Sequence, residues 1–162
     1  MKRFIKLLAF AGLIMVWINA CAQQKEQPDL QQIPSEVMEA LKAKFPESEI
    51  EEWTKELEGD IVIYDFEFTQ SGQKFEADIK EDGTIHNWEK AVTVKDLPEA
   101  VLNTIKEKYP SASLTEIMEI TALSEGKEQM EGYEIVLKTS GKELTEVTVA
   151  PDGMILEEDS GD

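Results

Sequence analysis

Cysteine is almost absent from this 162-residue chain: Cys21 stands alone, so no intramolecular disulfide forms and no Cys-x-x-Cys pair exists to hold a metal or shuttle electrons. Histidine is equally scarce. His86 is the only one, and a lone imidazole without a clustered Cys, Ser or second metal ligand supports neither a nucleophilic triad nor a zinc site. Arginine occurs once, at Arg3, so the planar fork that grips phosphate or carboxylate is missing from the rest of the chain. Glycine-rich phosphate loops and serine-centred elbows are missing too. These absences leave no constellation for catalysis and no basis for expecting a cofactor.

Acids are what the chain has in excess. It carries 34 Asp and Glu against 16 Lys and Arg, a net charge of −18. Lys2, Arg3 and Lys6 are three of those basic residues, and beyond residue 20 the balance is thirteen lysines against the same 34 acids, or −21. A phosphate backbone would be repelled, so nucleic acid is excluded as a partner. A protein with a basic surface, or divalent ions, would be drawn in at long range. Paired carboxylates such as Glu51-Glu52 and Glu157-Glu158 recur at solvent-patterned strand positions, whereas acid/base catalysis needs two converging in a cleft.

The start reads as an export signal. Lys2, Arg3 and Lys6 precede an apolar stretch from Leu7 to Ile18, long enough for a signal-peptide core and short for a membrane span. Residues 1–20 are therefore set apart from the fold. Ile18-Asn19-Ala20-Cys21 fits a relaxed lipobox that would make Cys21 a lipid-bearing first residue, while Ala20-Cys21-Ala22 fits ordinary cleavage that discards it. The first reading is preferred, because a sole cysteine placed there has no better use. The expected location is the cell envelope, as a lipoprotein on the periplasmic face or cell surface, or as a soluble periplasmic protein if cleavage follows Ala22. Membrane contact would come only through the N-terminal lipid. Residues 21–32 are polar and aperiodic and read as a flexible tether.

Beyond the tether the chain repeats itself. The stretch from Ile33-Pro34-Ser35-Glu36 to Phe45-Pro46 is answered by Leu97-Pro98-Glu99-Ala100 to Tyr109-Pro110. In each, proline opens a helix whose core stripe is Val37, Leu41 and Phe45, or Val101, Ile105 and Tyr109, and a second proline stops it. After each helix the hydrophobic period changes to two. Val62, Tyr64, Phe66 and Phe68 alternate with Ile63, Asp65 and Glu67; Tyr133, Ile135 and Leu137 repeat the pattern. Ser71-Gly72, Asp82-Gly83, Ser140-Gly141 and Asp152-Gly153 supply hairpin turns. The irregular spacing of Ile50 to Trp53 and of Leu114 to Ile117 suggests a bulge in the first strand of each copy. Extra residues between Thr121 and Glu131 read as an enlarged hairpin.

The fold expected is α+β: a tandem repeat of one helix followed by a four-stranded antiparallel sheet, with two copies forming one body and one sheet face open. The first repeat would span residues 33–90 and the second 97–158, with 159–162 an acidic tail. Signal peptide, helix ending in Lys-x-Phe-Pro or Lys-x-Tyr-Pro, a strand carrying Trp53 and an Asp-Gly hairpin resemble the PepSY-like, beta-lactamase-inhibitor-like proteins exported by bacteria. The resemblance covers residues 33 to 158 and carries no catalytic signature. It implies a concave sheet and a role in binding or inhibiting another protein, such as a peptidase or other hydrolase.

One candidate metal motif exists. Asp78 to Glu89 places acids at positions 1, 5 and 12 of a calcium-type loop and Gly83 at position 6, but Lys80 stands where a ligand oxygen is needed, so a hairpin turn is the better reading. For partner binding, Ile61, Ile63, His86 and Trp88 are expected to form an apolar patch on the open sheet face, rimmed by Asp65, Glu76 and Asp78, with Trp53 in the core. The function expected is a non-catalytic protein-binding or inhibitory module of the envelope. The alternative is an acidic domain that binds divalent cations without a protein target.

Overall fold

A computed structural model describes residues 29–124, 126–139 and 144–160. Cys21, the leader, most of the tether and the Ser140-Gly141 turn lie outside the described residues. After a 3-10 turn at Leu30–Gln32 come α1 (Ser35–Lys44) and the strands β1 (Glu49–Glu58), β2 (Ile61–Gln70), β3 (Gln73–Lys80) and β4 (Ile85–Ala91). Then α2 (Glu99–Lys108) precedes β5 (Ser113–Ser124), β6 (Lys127–Lys138), β7 (Leu144–Val149) and β8 (Ile155–Ser160). Asp159 and Ser160, the first residues of the expected acidic tail, are thus part of a strand.

The expectation of two helix-plus-four-stranded-sheet repeats is overturned by the strand pairing. All eight strands form one antiparallel sheet in sequence order, and β4 and β5, separated by the whole of α2, pair from Asn87↔Ala122 to Ala91↔Met118. The physical reason is that two separate sheets would leave β4 and β5 as open edges, and edges invite unwanted pairing. Joining them removes both, and a unit of about 60 residues buries too little surface to stand comfortably alone.

Both helices lie on the same side of this sheet. Val37, Leu41 and Phe45 pack with Phe66, Phe68, Ala77 and Ile79, while Val101 and Ile105 pack with Ile117, Ile135 and Val147. Directly paired residues share a face, and the cross-strand row Phe68, Phe75, Lys90, Glu119, Tyr133, Val149 runs from the first cluster to the second. In the middle of that row stand a lysine and a glutamate, so the two apolar clusters do not merge. Each fully buried aromatic, such as Phe66, contributes on the order of 1.5–3 kcal/mol.

The helix ends follow from the prolines. Pro34 and Pro98 occupy the N-cap positions, and Phe45 and Tyr109 leave helical geometry just before Pro46 and Pro110. The β3–β4 and β7–β8 turns fold back onto the helices. Gly83 (φ +82°) and Gly153 (φ +90°) come so close to α1 and α2 that a Cβ would stand 2.8 Å from the Glu36 carbonyl oxygen and 2.9 Å from that of Ala100. Glycine is needed at both for conformation and for space. The suggested bulges are present at Ile50/Glu52 and Leu114/Glu116.

Candidate functional site

The side of the sheet opposite the helices is built by the alternate residues of each strand. On it, Glu52, Glu67, Glu76 and Glu89 stand directly opposite one another across β1 to β4. The next row holds Thr54, Asp65, Asp78 and Asn87, and the Asn87 side-chain amide donates to Asp78 Oδ2 at 3.0 Å. Like charges placed opposite one another in a sheet oppose folding by roughly 0.2–1 kcal/mol per pair. Lys74, one row further along, offsets part of this. Its Nζ lies 2.6 Å from Glu116 Oε1, 3.0 Å from Glu76 Oε1 and 3.8 Å from Glu67 Oε2.

Titration reflects that crowding. Burial pushes the Glu76 carboxyl up, against the pull of the Lys74 ammonium. Burial would draw Lys74 down, but its hydrogen bond to Glu116 and the charge of Glu76 outweigh it and hold the ammonium above the usual lysine range. Towards β8, Glu146 lies directly opposite Asp159, and burial together with Glu134, Asp159 and Glu157 pushes its carboxyl up to about 8.

The floor is apolar on β5, in the middle of the sheet, and at Ile63 on β2. Ile63, Met118 and Ile120 belong to the helix-free face by their pairing with Lys80, Glu134 and Gly132, and all three are buried.

The predicted patch is divided by the sheet. Ile63, Asp65, Glu76 and Asp78 are on the helix-free face, and Ile61, exposed beside the β1–β2 turn, follows the same alternation. Trp88 is not with them. It stands opposite Ala77 on the helix side, packs on the first core cluster and sets its ring 5.9 Å from Phe45 and 6.3 Å from Phe75. The cause is a bulge. Asp78 pairs with Asn87 but Ile79 with Ile85, so His86 is an extra residue and the inside–outside alternation slips by one. Ile85 and Trp88 therefore face the same helix, and His86, half-buried, sits at the irregularity. Trp53 is partly buried on the first cluster, stacks on Tyr64 at 6.2 Å and donates its indole N–H to the Asp29 carbonyl at 3.1 Å.

The calcium-type loop is a turn. Asp82 Oδ1 accepts from the Thr84 N–H at 2.9 Å and Gly83 N–H donates to Lys80 O at 2.8 Å, with Asp152 and Gly153 doing the same in the β7–β8 turn. Among the described residues no group of three or more His, Cys, Asp or Glu side chains is arranged to hold a metal ion. The residues sequence reasoning missed are Glu52, Glu67, Glu89, Lys74 and Glu116. Their alternation was visible, yet only strand register puts four glutamates in one row.

The model of the beta-lactamase-inhibitor-like, PepSY-like family matches residues 16–87 and 64–156. The chain belongs to that family. Solved structures with the same fold include a protein from Bacteroides eggerthii described as periplasmic, at 16% identity over 79% of this chain and 88% of that one with a TM-score of 0.64. A DUF2874 family protein from Bacteroides uniformis has 15% identity over 78% and 88%, TM-score 0.62. A BLIP-like protein from Bacteroides fragilis has 18% identity over 80% and 89%, TM-score 0.55. No curated protein matches the sequence. Among the described residues no helix is long and apolar enough to cross a membrane.

Proposed function

We propose that this PepSY-like chain is a non-catalytic protein-binding or inhibitory module of the bacterial cell envelope, and that it meets its partner on the helix-free face of the sheet. The observation that carries the reading is that both helices crowd one side and leave the other to rows of carboxylates around an apolar floor. Such a face suits a partner with a basic surface, steered to it by the charge of the carboxylate rows. Membership of a beta-lactamase-inhibitor-like family supports a role in restraining a hydrolase, a peptidase among the candidates. The leader and Cys21 support export with a lipid anchor, and a similar fold in a protein described as periplasmic agrees with that location.

Photo-crosslinking residues placed in turn at Glu67 and Asp78 on the helix-free face, and at Glu39 on α1, test this. The face positions should capture one envelope protein that Glu39 does not, and the yield should fall with added salt. Equal capture from all three positions, or none from the face, overturns it. Calorimetric titration with calcium and magnesium addresses the cation-binding alternative: a tight stoichiometric site would favour that reading.

A further inference from the structure

The two apolar clusters share no residue. On the helix side Lys90 and Glu119 separate them, and the backbone join between them is the β4–β5 ladder of five residue pairs, extended by the Val92 N–H to the Ile117 carbonyl at 2.9 Å. A single ladder between two separately packed bodies resists sliding well and bending poorly. Bending must be limited by contacts that reach across the seam.

Two ion pairs do so from opposite sides. On the helix-free face Lys74 of β3 reaches past β4 to Glu116 of β5, at 2.6 Å. On the helix face Lys44, the last residue of α1, pairs with Glu128 of β6, its ammonium 4.9 Å from the centre of the Trp88 ring. Lys90 and Glu119, 3.6 Å apart, are directly paired on adjacent strands and so have no lever arm across the seam. We propose that the β4–β5 seam is a hinge held between two opposed clamps, Lys44–Glu128 on the helix face and Lys74–Glu116 on the other, and that their balance sets how wide the helix-free face opens. Releasing the first lets the helices part and narrows that face. Releasing the second lets the helices approach and widens it. Partly exposed ion pairs of this kind are individually weak and screened by salt, so a charged partner or a change in salt can shift the balance.

The role in gating a partner rests on the proposed function, but the hinge is measured without one. Spin labels at Glu39→Cys on α1 and Asn103→Cys on α2, both exposed, in a Cys21→Ser background report the helix-to-helix distance. Glu128→Gln should lengthen it and Glu116→Gln should shorten it, each by about 2 Å or more. Lys44→Met and Lys74→Met should reproduce the two shifts from the other partner of each pair, which guards against a folding defect in any one variant. Unchanged distances, or shifts of the same sign, overturn the hinge. A responsive seam with no partner captured on the face sinks the binding reading alone, and a rigid seam with a captured partner sinks the hinge alone.

Discussion

Phe45 and Trp88 meet edge to face, 5.9 Å apart at 73°, which ties the end of α1 to the strand that joins the two parts of the sheet. The indole N–H of Trp88 is buried and has no hydrogen-bond partner, so the residue serves the fold through its rings and not through its polar atom. Trp88→Phe keeps the ring contact and removes an unsatisfied donor, and it should leave stability within about 1.5 kcal/mol of the parent. Trp88→Ala should cost about 3–5 kcal/mol. Urea denaturation of both variants checks the contrast.

Two glycines with positive φ separate conformation from space. Gly59 (φ +62°) has nothing within 4 Å of the Cβ it would gain, whereas at Gly83 that Cβ meets the Glu36 carbonyl oxygen at 2.8 Å. Gly59→Ala should therefore cost only the strain of the left-handed backbone, about 1 kcal/mol. Gly83→Ala should cost more, because α1 must also move off the β3–β4 turn. A larger loss at Gly59 than at Gly83 in thermal melts would contradict this packing.

Glu146 makes stability depend on pH. Its carboxyl, raised to about 8 by burial and by Glu134, Asp159 and Glu157, is held neutral in the fold where an unfolded chain would ionise it near 4.5. A raised folded value means the contribution is fully present below the unfolded value and is lost as pH climbs towards 8. The melting temperature should thus decline between about pH 4.5 and 8 through this group. Glu146→Gln should flatten that part of the profile and be the more stable protein at about pH 8.

Carboxylates on the helix-free face should govern partner capture. Neutralising Glu67 and Glu76 together, Glu67→Gln with Glu76→Gln, should reduce crosslinking to a basic partner and weaken its salt dependence, while removing like-charge repulsion and so leaving the fold intact. Undiminished, equally salt-sensitive capture would place the contact elsewhere.

The anchor is tested at Cys21. Palmitate should label the native chain in an exporting bacterial host and not the Cys21→Ser variant, and the variant should move from the membrane fraction to the soluble one. Labelling of neither would favour cleavage after Ala22.

Local signals fixed the pieces. Pro34 and Pro98 start helices, Pro46 and Pro110 end them, period-two alternation from Val62 to Phe68 makes a strand, and Asp82-Gly83 forms a turn, because each depends on neighbours along the chain. The three-residue gaps at Ile50 and Leu114 foretold bulges for the same reason. Face assignment on β4 failed at His86, since one inserted residue reverses every side chain beyond it and nothing in Ile85-His86-Asn87-Trp88 marks which residue is extra. Tertiary structure alone decided that β4 pairs with β5, giving one sheet in place of two, because the gain comes from closing two edges far apart in sequence. It also decided that Glu52, Glu67, Glu76 and Glu89 share a row, since register is a relation between strands that no single strand contains.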